Sequence, residues 1–87
     1  MHEKALMDDL IREITERAAA EGAGRVAAVR VRLGALSHFT PEHFREHFVD
    51  ASRGTVAEGA EVEAELGTSL TEPTATGVVL ESIEIVV

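Results

Sequence analysis

Apolar side chains recur at spacings of three and four across residues 3–20: Leu6, Met7, Leu10, Ile11, Ile14 and Ala18, with Asp8, Asp9, Arg12, Glu13, Glu16 and Arg17 on the other face. That repeat predicts an amphipathic helix. Glu3 falls in its first turn, where the helix dipole favours an anion. Gly22 and Gly24 follow and end it, since glycine accepts the left-handed conformation that closes a helix. The period then changes to two. Over residues 25–33, Ala27, Val29, Val31 and Leu33 alternate with Ala28, Arg30 and Arg32, which predicts a strand with one apolar and one basic face. Thr40 and Pro41 open a second helix as N-cap and first helical residue. In it Phe44 and Phe48 share a face with Val49 beside them, and Gly54 is the stop. A second strand covers residues 61–66, with Val62, Ala64 and Leu66 inward and Glu61, Glu63 and Glu65 outward. A loop over 67–77 contains Pro73, and a last strand covers 78–86, with Ile83 and Ile85 inward against Ser82 and Glu84.

The order helix, strand, helix, strand, strand predicts an α/β (α+β) fold: a small three-stranded mixed sheet with both helices on one face. The outer sheet face then sets Arg30 and Arg32 against Glu61, Glu63, Glu65 and Glu84. Opposite charges across strands contribute roughly 0.2–1 kcal/mol each, so this face reads as a solvated surface and not a binding patch.

A chain of 87 residues is one domain. With three Phe and neither Trp nor Tyr, the core must come from Leu, Ile, Val and Ala around Phe39, Phe44 and Phe48. A net charge of −8 disfavours nucleic acid and anionic membrane as partners and suits cations or basic protein surfaces. The absence of cysteine excludes disulfides, thiolate zinc sites and a Cys nucleophile. Asp8, Asp9, Glu13 and Glu16 interrupt any signal-peptide core. No apolar run approaches the ~18 residues of a membrane span, so a cytoplasmic location is expected.

No Walker sequence and no G-x-G-x-x-G after a strand is present, and the serines lack a nucleophile-elbow context. Histidine is the informative residue. In Met1-His2-Glu3, the α-amine of Met1, the amide nitrogen of His2 and its ring nitrogen can form one chelate, with Glu3 adding a carboxylate or its own amide. Divalent nickel accepts such a square-planar N,O set. The first N–H groups of a helix have no intrahelical acceptor, so deprotonating the His2 amide would break no helix bond. Metal binding there should release protons and weaken as pH falls. Against this stands a plain start methionine followed by an ordinary histidine. His43 and His47, in His43-Phe44-Arg45-Glu46-His47, share a helix face in the H-x-x-E-H order of some zinc peptidases. No third ligand is evident, and a half-exposed rim beside the Phe stripe is the plainer reading, ahead of an adventitious or auxiliary metal site. His38, at the strand-to-helix turn, reads as a solvated loop residue.

Several blocks together resemble the HypA/HybF family of hydrogenase maturation nickel metallochaperones. They are Met1-His2-Glu3, Leu6 and Leu10, Ala23-Gly24-Arg25-Val26, Val31-Arg32-Leu33-Gly34-Ala35-Leu36-Ser37-His38, Pro41-Glu42-His43, Gly54-Thr55-Val56-Ala57-Glu58-Gly59-Ala60, and the closing Ile83-Glu84-Ile85. The resemblance covers about residues 1–66 and 78–86. It implies a nickel site at Met1, His2 and Glu3, a HypB-type GTPase partner, and a nickel-enzyme recipient, usually the large subunit of a [NiFe]-hydrogenase and in some organisms urease. Family members carry a zinc domain with two Cys-x-x-Cys pairs between the last two strands. This chain has only the short loop around 67–77 in that place, so no structural zinc is expected. Either a zinc-free paralogue or a form with the zinc domain removed accounts for it.

The expectation is a single nickel-binding domain over residues 1–87. It acts as a metallochaperone or accessory protein that carries Ni(II) as cargo and is not an enzyme. The alternative is a protein-interaction module without metal duty, such as a hydrogenase assembly adaptor or subunit. A zinc hydrolase built on His43, Glu46 and His47 is the weaker rival.

Overall fold

The computed structural model describes residues 2–37, 39–68 and 77–86, with backbone only at His2 and Glu3. The chain runs α1 (His2–Ala20), β1 (Arg25–Leu33), α2 (Pro41–Ser52), β2 (Glu61–Leu66) and β3 (Val78–Val86). The sheet order is β2-β1-β3, with β1 parallel to β2 and antiparallel to β3. The fold is therefore the expected mixed sheet with two helices.

Helix α1 turns Met7, Leu10, Ile11, Ile14 and Ala18 into the core. Ion pairs Lys4–Asp8, Arg12–Asp9 and Arg17–Glu13 line its wet side. Gly22, at φ 70°, reverses the chain. Around it the Ala23 N–H donates to the Ala18 carbonyl at 2.9 Å and the Gly22 N–H to Ala19 at 3.0 Å. Both bonds satisfy carbonyls that a helix end leaves open, as in the Schellman arrangement.

The strand β1 departs from strict alternation, and the neighbouring strand shows why. Val26, not Ala27, is buried, and Ala27 is exposed, contrary to the alternation expected from the sequence. Val26 pairs with Ile85 and Ala28 with Glu84, so Ala27 is an extra residue on β1. Such a bulge shifts every side chain beyond it by one place. A second irregularity lies on β3, where Arg30 pairs with Ser82 but Val31 with Leu80, leaving Glu81 extra. Between and beyond the bulges the inward set is Val26, Val29, Val31 and Leu33 on β1, facing Ile85, Ile83, Leu80 and Val78.

The outer face carries ion pairs, but not all as expected. Arg30 meets Glu63 at 3.0 Å. Arg32 meets Glu81 of the β3 bulge at 2.8 Å. Glu84 instead sits opposite Ala28. The hydrogen bond and charge of Glu63 hold the Arg30 guanidinium above its ordinary pKa.

The inward assignment of Leu66 is corrected, and Val49 lies at the edge of the Phe stripe. Val49 is 54% exposed and Leu66 is 51% exposed. On α2 the core-facing positions are Phe44, Phe48 and Ser52, a strict four-residue stripe that leaves Val49 at its border. Leu66 is the last residue of β2, an edge strand, where cover from the helix layer ends.

The segment after α2 holds the start of β1 in place. Thr55 Oγ1 donates to the Ser52 carbonyl at 2.7 Å and accepts from the Ala57 N–H at 3.1 Å. Ala57 is fully buried. The Val56 carbonyl accepts from the Val26 N–H at 2.8 Å, which anchors the start of β1 beside its bulge. No helix among the described residues is long and apolar enough to cross a membrane.

Candidate metal centre

The two helix starts lie at one end of the domain, and the topology dictates it. Helix α1 has 19 residues and is about 28 Å long at 1.5 Å per residue. After the Gly22 turn, the nine residues of β1 return over about 30 Å at 3.3 Å each. The chain at Leu33 is thus back at the end where α1 began. Helix α2 starts there, and because β2 is parallel to β1, α2 must carry the chain to the opposite end.

Met1 lies outside the described residues, and so does His38. His2 and Glu3 form the first residues of α1 through their backbone. The loop around 67–77 also falls mostly outside the described residues, which resume at Gly77.

The start of α2 is built in detail. Thr40 is extended, at φ −96° and ψ 157°, and its Oγ1 accepts from the His43 N–H at 3.1 Å. Pro41 takes a helical position whose missing N–H costs nothing. Phe44 and Phe48 are buried under the helix, their ring centroids 6.1 Å apart. Arg45 Nε donates to the Val62 carbonyl at 3.1 Å and ties the helix to β2.

His43 and His47 point outward from this helix on one face. Their ring centroids are 4.5 Å apart, and their Nε2 atoms share a hydrogen bond at 2.8 Å. Buried Phe39, just before the helix, lies beneath both imidazoles, at 6.1 Å from His43 and 6.3 Å from His47. It also meets Phe44 edge-on at 5.6 Å. Helical spacing could not reveal this floor, because Phe39 precedes the helix. Among the described residues no group of three or more His, Asp or Glu comes together as a metal site. The three-ligand cage that a zinc peptidase needs is thus not assembled among them around His43 and His47.

The family model described as "Hydrogenase/urease nickel incorporation, metallochaperone, hypA" matches residues 1–72. The chain belongs to the HypA family. A hydrogenase maturation factor HypA from Thermococcus kodakarensis is 44% identical over 63 residues, covering 72% of this chain and 45% of that protein. Another from Methylocella silvestris is 36% identical over 66 residues, covering 76% of this chain and 58% of that protein. The chain therefore spans about half the length of the curated relatives it matches. The solution structure of the Ni metallochaperone HypA from Helicobacter pylori superposes with a TM-score of 0.77 at 16% identity, over 95% of this chain and 96% of that one. At that identity the likeness shows the shared HypA fold alone.

Proposed function

We propose that this chain is a nickel metallochaperone domain of the HypA type, serving maturation of a nickel enzyme, with [NiFe]-hydrogenase as the recipient. The observation that carries the reading is the family match, which begins at residue 1 and so includes Met1-His2-Glu3. Nickel is cargo here. Its ligands are the Met1 amine, the amide and ring nitrogens of His2, and Glu3.

Two features support that assignment. Helix α1 begins at His2, and an N–H in the first turn has no intrahelical acceptor, so the His2 amide can lose its proton without loss of a helix bond. The net charge of −8 favours a cation at the surface. A chelate at a chain end leaves coordination positions that an incoming protein ligand can reach, so transfer proceeds by ligand exchange.

The chain acts as a carrier and not as an enzyme, in the cytoplasm, as a single nickel-binding domain without structural zinc. A HypB-type GTPase and the large subunit of the nickel enzyme are its partners. Titration of Ni(II) into the wild type, His2→Ala and a form extended before Met1 tests the site. Binding is expected in the wild type and lost in the other two; equal affinity in all three would overturn the proposal.

A further inference from the structure

We propose that His43 and His47 form a second, two-ligand site for a late first-row divalent cation, on the exposed face of α2 and separate from Met1-His2-Glu3. The argument begins with distance. Metal–imidazole bonds are about 2.0–2.1 Å. Two such bonds at a right angle separate their nitrogens by about 2.9 Å, and at a tetrahedral angle by about 3.4 Å. The Nε2 atoms of His43 and His47 are 2.8 Å apart. The rings share a hydrogen bond at that distance, and the separation matches the bite of two adjacent ligands in square-planar or octahedral geometry, so an ion can replace the shared proton without parting the rings. A small side-chain rotation opens it to the tetrahedral value.

The second support is preorganisation. Helical residues four apart face the same way, and α2 is fixed by the Thr40 cap below and the Phe44 and Phe48 anchors behind. The Phe39 ring lies under both imidazoles and restricts how they turn. Little ordering remains to be paid for when an ion arrives. The ion lies on the solvent side, since His43 is exposed and His47 half-buried.

Imidazole nitrogen donors suit Cu(II), Ni(II) and Zn(II), and among these affinity follows Ni < Cu > Zn. With two protein ligands among the described residues, the remaining positions are open to water. Such a site holds an ion loosely and offers free positions to a third ligand from another protein. It lies toward the end of the domain where α1 also begins, yet it does not depend on the proposed cargo site.

Zn(II) is the probe, because it is diamagnetic and leaves histidine ring resonances visible. The full chain is acetylated at Met1 and carries His2→Ala, so the N-terminal chelate is absent. Zinc is expected to bind one per chain and to move the ring signals of His43 and His47. His43→Ala and His47→Ala, in the same background, should each weaken binding by roughly a hundred-fold, the low end of the gain from linking two ligands. Phe39→Leu should weaken it less while the fold, followed by circular dichroism, persists. Unchanged His43 and His47 signals, movement of the His38 signals in their place, or equal affinity in the single-alanine variants would overturn the proposal. Because the N-terminal chelate is removed throughout, these outcomes are independent of the nickel titration above.

Discussion

Helix α2 begins on Thr40 and Pro41, whereas α1 begins at His2, the second residue of the chain. The two starts use the same helix chemistry for opposite ends. In α2 the exposed donors of the first turn are dealt with locally: Thr40 takes the His43 N–H, and Pro41 has none to offer. Its histidines are then held by packing from Phe39 and Phe44. In α1 the first-turn N–H groups have no intrahelical acceptor, and one of them belongs to the residue proposed to give up its proton to nickel. A capped start makes a rigid platform for side chains, while a start without intrahelical acceptors keeps backbone nitrogen available as a ligand.

The contrast can be broken at several points. Phe44→Ala, in the anchor of α2, should cost about 3–5 kcal/mol by loss of a fully buried ring. Domains of this kind have roughly 5–15 kcal/mol in total, so urea unfolding would show a large drop. Acetylating Met1 should leave that unfolding curve where it was. It should nonetheless lower nickel affinity by more than the roughly 10–100-fold that loss of a hydrogen-bond partner behind a metal ligand costs, as calorimetry would measure. Thr40→Ala should destabilise by about 1 kcal/mol and Thr40→Ser by far less, since only the first removes the cap oxygen. The smallest effect is expected at Glu81→Gln. Its pair with Arg32 lies at the surface, and such pairs contribute about 0–1 kcal/mol and fade with salt.

The elements were legible because their signals are local. Alternation, the Thr40-Pro41 start and the glycine stops gave all three strands at residues 25–33, 61–66 and 78–86, and α1 to within one residue. The bulges were not legible. Whether Ala27 or Val26 turns inward depends on the residue opposite on β3, nearly 60 positions away, and nothing in the sequence of β1 records it. The same holds for Glu81, which the bulge delivers to Arg32 although alternation left it off the outer face. Leu66 failed for a related reason: it is apolar, but cover depends on where the neighbouring layer stops. In the candidate centres, the His43–His47 spacing could be read directly, while the Phe39 floor depends on how the loop after β1 folds back.

The ends of the outer strands meet at a single place. The Gly67 N–H donates to the Leu33 carbonyl at 2.7 Å and the Gly34 N–H to the Gly77 carbonyl at 2.8 Å. The segment between 67 and 77 thus leaves and re-enters the sheet on either side of β1, clamped at both feet by backbone alone. Nothing in that clamp depends on what the segment contains. Loop closure costs only about 0.6 kcal/mol more for each doubling of length. The HypA fold can consequently carry anything from a short tether to a whole extra module at this doorway while the helices stay where they are.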